Sequence, residues 1–154
     1  MLVVKQAEYE ALRRHGEETY PYECCGVLLG QFTNGDRTVE QVVRCDNSYT
    51  AESRHNRYQI DPRELIAIQR QATQQNLEIV GFYHSHPDHP AKWSKTDLAE
   101  AHWLTCSYVI TSVERGAAAQ TNSFVLTGQS DDDKQFQTEV INMVPIGEGQ
   151  PLCR

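Results

Sequence analysis

Long apolar runs are missing from this chain. No stretch approaches the roughly 18 consecutive apolar residues that a membrane span requires, and the opening MLVVKQAEYE lacks the basic start and apolar run of a secretory signal. No membrane partner is expected, and the cytoplasm is the expected location. Cys-x-x-Cys spacing is also missing. The five cysteines (Cys24, Cys25, Cys45, Cys106 and Cys153) are odd in number, so neither a disulfide framework nor a thiolate zinc knuckle is indicated, and reduced thiols are expected. Basic residues are scarce: 14 Lys and Arg stand against 21 Asp and Glu, for a net charge of -7, with only scattered arginines around Arg54 and Arg57. Such a surface opposes attraction to phosphate backbones, which argues against a nucleic-acid partner. Internal repeats are absent.

What is present is the make-up of one ordinary globular domain. A length of 154 residues suffices to bury one core without staples. The reading is a single domain over residues 1–145, with 146–154 as a flexible tail. Residues 5–19 read as a helix that stops before Pro21. Cys24–Phe32 and Thr38–Arg44 flank Asn34-Gly35 and read as a hairpin. The polar, aperiodic stretch 46–58 reads as a long surface loop and a candidate substrate flap. Asp61-Pro62 opens a helix to about Asn76 with Leu65, Ile66 and Ile68 on its buried side. Leu77–His86 is a strand rich in β-branched and aromatic residues. Ser94 opens a helix to about Leu104, residues 107–113 and 123–126 are strands, Asp131–Lys134 is a solvated turn, and Phe136–Val144 is a strand or short helix.

The chemistry concentrates at His84-Ser85-His86, with Ser94 and Asp97 downstream. Two histidines two apart on a strand point to one face. Asp97, in the first turn of the next helix, can add a carboxylate, and two imidazoles with one carboxylate form a zinc site with its fourth position open to water. Zinc lowers the pKa of that water to about 7 without removing its proton, so a base is required. Glu23, at the entrance of the first hairpin strand, is the candidate. Ser94 can donate its hydroxyl to a developing oxyanion.

Each residue also has a plainer reading. Ser94-x-x-Asp97 alone is a helix capping box, and the two histidines are what favour the metal. Glu23 alone would be a solvated strand-end carboxylate. Cys24 and Cys25 read as small buried hydrophobes rather than nucleophiles. His15, His55, His89 and His102 have no ligand spacing, Trp93 and Trp103 read as packing residues, and Asp131-Asp132-Asp133 reads as a solvated charge run.

The full pattern, Glu23, then His84-x-His86, seven residues, Ser94-x-x-Asp97, resembles the JAMM (MPN+) metalloproteases. Pro21–Gly30, Gly81–Pro90 and Trp93–Asp97 are similar to its bacterial single-domain branch. The resemblance implies an α/β fold of MPN/JAB, cytidine-deaminase-like type, with a curved, mixed, mostly antiparallel sheet flanked by helices. It implies one Zn2+ per chain on His84, His86 and Asp97, with Glu23 as general base and Ser94 as oxyanion helper. The implied activity is hydrolysis of the amide after the C-terminal Gly-Gly of a ubiquitin-like sulfur-carrier protein, releasing cysteine. The carrier tail would lie as an added strand in a narrow channel lined by Arg54, Asn56 and Arg57. The alternatives are a non-catalytic MPN scaffold and a zinc amidohydrolase of a small molecule.

Overall fold

The computed structural model describes residues 1–145; the expected tail, 146–154, lies outside them. The segment Glu78–Pro87 (β4) carries Ile79, Val80, Phe82 and Tyr83, all buried, and occupies the middle of an eight-stranded sheet. In chain order the elements are β1 (Leu2–Lys5), α1 (Gln6–Thr19), β2 (Cys25–Thr33), β3 (Asp36–Cys45), α2 (Pro62–Gln74), β4, α3 (Lys95–Glu100), β5 (Ser107–Glu114), β6 (Ala117–Thr127), β7 (Gln135–Glu139) and β8 (Ile141–Val144). The strands lie in the order β7-β6-β5-β4-β2-β3-β1-β8. The β4/β5, β3/β1 and β1/β8 pairs are parallel and the other four antiparallel, so the sheet is mixed and mostly antiparallel.

β7 and β8 lie at opposite edges of this sheet but are separated in sequence by Val140 alone. The sheet must therefore curl until its edges approach. Glu139 sits at the seam, where it accepts hydrogen bonds from Arg37 Nη2 (2.6 Å), Ser123 Oγ (2.7 Å) and Ser107 Oγ. This buried carboxylate is thus both charge-paired and hydrogen-bonded, as burial of an ion requires.

Alternation along the strands divides the core between two faces. Cys25, Val27, Leu29 and Phe82 pack toward Ile68 and Ala72 of α2, whereas Cys24, Leu28, Val80 and Tyr83 pack with Leu12 of α1. Helix α1 lies so close to the sheet that a Cβ on Gly16 would come within 3.0 Å of Val113 and 3.3 Å of Ser85. Tyr83 lies across β2 at Gly26, where a Cβ would fall 2.1 Å from the ring.

Two sequence expectations change, for Ile66 and for the length of α3; one strand is added and the last segment resolves as strand. Strand β1 is an addition, its residues pairing with β3 and β8 far along the chain. Ile66 is 51% exposed: Ile68 is buried on α2 and Leu65 packs against the core, leaving Ile66 turned to solvent. Helix α3 stops at Glu100, because Lys134 Nζ donates to the Ala99 and Ala101 carbonyls and Trp103 turns to pack edge-on against Phe82. The segment Phe136–Val144 is two strands on two edges of the sheet.

Candidate active site

Strand β4 ends in His84 and His86, both buried on the α2 face. Their Nε2 atoms are 3.1 Å apart. Asp97, in the first turn of α3, places Oδ1 3.3 Å from His84 Nε2 and Oδ2 3.2 Å from His86 Nε2. A tetrahedral zinc with bonds of about 2.0–2.1 Å holds its ligand atoms about 3.3 Å from one another, so the three separations suit one ion. The tautomer of His86 agrees. His86 Nδ1 donates to Pro90 O at 2.9 Å, which leaves the lone pair on Nε2, facing a carboxylate oxygen and a second imidazole nitrogen. Acceptors gathered in this way need a cation or a proton among them, and the donor set fits a divalent metal.

The surrounding charges act in the same sense. Burial pushes Asp97 up, but the close His84 and His86 rings and the Ser94 backbone amide outweigh it and hold the carboxyl well below its usual range. Burial holds His84 below the usual imidazole value. His86 is also pushed down by burial, yet Asp97 and the Pro90 carbonyl bring it above that value. Ser94 caps α3: its Oγ accepts from Asp97 N at 3.0 Å, and its own N donates to Asp97 Oδ2 at 2.8 Å. The capping box and the ligand reading therefore coexist. Because Oγ accepts in the cap, the Ser94 hydroxyl hydrogen is left for another acceptor.

Glu23 is brought to this cluster by strand register. Cys25 pairs with His84 across β2 and β4, and continuing that antiparallel register sets Glu23 opposite His86. The junction is fixed by Cys24 N donating to Ser85 Oγ (2.8 Å) and Ser85 N donating to Cys24 O (3.3 Å). Glu23 is 4% exposed, and burial raises its carboxyl to about 8; the His86 charge pulls it down while Asp97 and Glu100 push it up. Glu23, Asp97, His86 and Ser94 line one cleft of about 300 Å3 with Asn56 and Lys92.

Of the three residues expected to line a tail channel, only Asn56 borders this cleft. Arg57 turns to Glu100 and lies over the Tyr49 ring, whereas Arg54 donates to Tyr49 O and borders a neighbouring hollow with Tyr22 and Asn47. Sequence reasoning missed Tyr58, which stacks on His84 at 4.4 Å and 23° and fixes a ring whose Nδ1 has no partner among the described residues. An aromatic at the end of the flap was the available signal. Trp93 is 39% exposed beside Phe136, and is more open than a packing residue. Cys24 and Cys25 are buried, with burial raising Cys24 to about 12 and Cys25 beyond it, so neither is an activated nucleophile. His15 is bound to Tyr83 on the opposite face of β4, and His102 to Asp131 at the surface.

Residues 5–127 match the family described as prokaryotic homologs of the JAB domain. The chain is 38% identical over 92 residues to a desampylase of Haloferax volcanii, a match covering 60% of this chain and 63% of that protein. The chain thus spans just under two thirds of that relative's length. It is 30% identical over 112 residues to the CysO-cysteine peptidase of Mycobacterium tuberculosis, with 73% of each chain covered. A solution structure of a protein from Desulfitobacterium hafniense superposes with a TM-score of 0.79 at 26% identity, over 94% of both chains.

Proposed function

The chain belongs to the prokaryotic JAB-domain family, and from that premise we propose that it is a zinc-dependent peptidase. It hydrolyses the amide bond that follows the C-terminal Gly-Gly of a ubiquitin-like sulfur-carrier protein. The observation that carries this reading is the gathering of His84 Nε2, His86 Nε2 and the Asp97 carboxylate within 3.1–3.3 Å of one another, with buried Glu23 on the same cleft. Zinc bound there would polarise the scissile carbonyl and acidify a water molecule.

The side chains divide the remaining work. Glu23 takes a proton from the attacking water and delivers it to the departing nitrogen; a carboxyl whose pKa is raised by burial is a stronger base, once ionised, than an exposed one. Ser94 donates its hydroxyl to the carbonyl oxygen as charge accumulates there. Its backbone amide holds Asp97 in position. Tyr58 and the Pro90 carbonyl fix the two imidazoles, so the ligand set is organised before substrate arrives. Asn56 offers an amide to an extended Gly-Gly tail entering past the flap.

The test is mass spectrometry of a ubiquitin-like carrier bearing one residue after Gly-Gly, incubated with zinc-loaded protein. The expected result is return to the Gly-Gly carboxylate, blocked by Glu23→Gln. An intact conjugate with zinc bound overturns the proposal.

A further inference from the structure

The segment 88–93 has no regular structure beyond β4, yet it is pinned at three successive carbonyls. Ser112 Oγ donates to His89 O (2.7 Å), His86 Nδ1 to Pro90 O (2.9 Å) and Asn122 Nδ2 to Ala91 O (2.9 Å). Ala91, in the middle of the stretch, is 1% exposed. Side chains from β4, β5 and β6 thus hold one short irregular stretch in place, and that rigidity exceeds what a solvated connection requires.

The stretch presents Lys92 at the cleft. Lys92 is the one Lys or Arg among the residues bordering it, and the rest of the border includes the carboxylates of Glu23 and Asp97. Among the described residues most Lys and Arg, Lys92 included, form no ion pair; Lys92 differs in bordering the cleft. A cation left unpaired on a rigid segment, in a chain of net charge -7, is available to an anion brought by the substrate.

We infer that Lys92 binds the free α-carboxylate of the leaving group, so that the enzyme favours release of a single α-linked amino acid over cleavage of an isopeptide. This inference rests on the proposed peptidase reading and names the chemical class of what leaves. The geometry of the substrate supports it. In a carrier extended by one residue, the α-carboxylate is two bonds from the scissile nitrogen, so a cation on the rim of the same cleft can reach it. In an isopeptide, the scissile nitrogen ends a four-carbon lysine stem and that lysine's α-carboxyl is already in a peptide bond, so no anion lies near. Hydrolysis adds water across the C–N bond and releases an amine and a carboxylate; Lys92 takes no proton in that balance and acts as a specificity residue.

Two probes separate these cases: a ubiquitin-like carrier ending Gly-Gly-Ala with a free carboxylate, and the same carrier ending in Gly-Gly-alaninamide. We expect the wild type to favour the acid by about tenfold in kcat/KM. Lys92→Met should bring the ratio to within about twofold, Lys92→Arg should retain the preference, and Lys92→Glu should reverse it. Each ratio is taken on one preparation, so metal loading and folding cancel. A wild-type ratio near one, or an unchanged ratio in Lys92→Met, overturns the inference. Binding of both probes to zinc-loaded Glu23→Gln, measured by calorimetry, should show the same preference in Kd without turnover. If the wild type cleaves neither probe, the peptidase reading fails on activity, while a Kd preference that vanishes with Lys92→Met still upholds the assignment of Lys92. Equal binding of the two probes, or binding of neither, overturns it.

Discussion

On the α1 face of β4, His15 meets Tyr83 Oη at 2.8 Å, and burial lowers the imidazole to about 4. On the α2 face, the Nε2 atoms of His84 and His86 face each other and the Asp97 carboxylate. Both faces bury imidazole beside a partner from another element. The difference lies in the partner. A phenol can donate or accept, so His15 is satisfied by a single neutral hydrogen bond. A carboxylate can only accept, and His86 has committed its ring proton to Pro90, so at most the single ring proton of His84 is left for the two Asp97 oxygens and His86 Nε2. Burial of histidine is therefore not what marks the site; a surplus of acceptors is.

The contrast is sharpest in the variants that should separate stability from chemistry. Asp97→Asn removes the charge that holds both rings, and zinc affinity should fall by about 100-fold or more with activity lost. Equilibrium dialysis against a zinc indicator checks this, and retention of tight binding would contradict the ligand assignment. Glu23→Gln should keep zinc and lose turnover by about 1,000-fold, since it removes the base alone. Ser94→Ala should fall between wild type and Glu23→Gln in kcat, with metal retained and about 1 kcal/mol of stability lost from the α3 cap.

On the other face the effects should reverse. Tyr83→Phe leaves His15 Nδ1 buried without its partner and should cost about 1–3 kcal/mol in urea unfolding, with zinc affinity unchanged. A metal-affinity loss comparable to that of Asp97→Asn would show that the two faces are coupled through the strand.

Much of the α2 face was legible because its signal is local. His84 and His86 are two apart on a strand, and Asp97 is three residues after a serine that caps a helix, so spacing and periodicity suffice. Glu23 carried no comparable signal of its own. Its approach to His86 depends on β2 pairing with β4 in one register across roughly sixty intervening residues, and only the family pattern singled it out. The parallel pairing of β1 with β3 and β8 was likewise hidden, because nothing near Leu2–Lys5 records partners so far along the chain. Tyr58 and the triple pinning of residues 89–91 were hidden for the same reason. Ile66 was misread because an apolar residue in an amphipathic helix was assigned to the core, although Ile68 and Leu65 already fill the buried stripe.

The most gradual effect concerns His15 and acid. Its imidazole titrates near 6.5 when unfolded and near 4 in the folded protein, where burial and then the Arg44 charge disfavour the cation while Glu18 and Asp46 favour it. The unfolded chain therefore binds the proton more readily, and the neutral imidazole contributes its full stabilising effect only above pH 6.5. That contribution should decline as pH falls from 6.5 to 4 and should be gone below 4, where both states carry the proton. One proton corresponds to a slope of at most about 1.4 kcal/mol per pH unit within that window. Carboxylates titrate toward its lower end as well, so the quantity to compare is the difference between wild type and His15→Gln. Unfolding free energies at half-unit steps from pH 7 to 4 should converge on those of His15→Gln as the medium becomes acid. Parallel curves would show that the Tyr83 contact does not depend on imidazole charge, and the two faces of β4 would then differ less than their hydrogen bonds indicate.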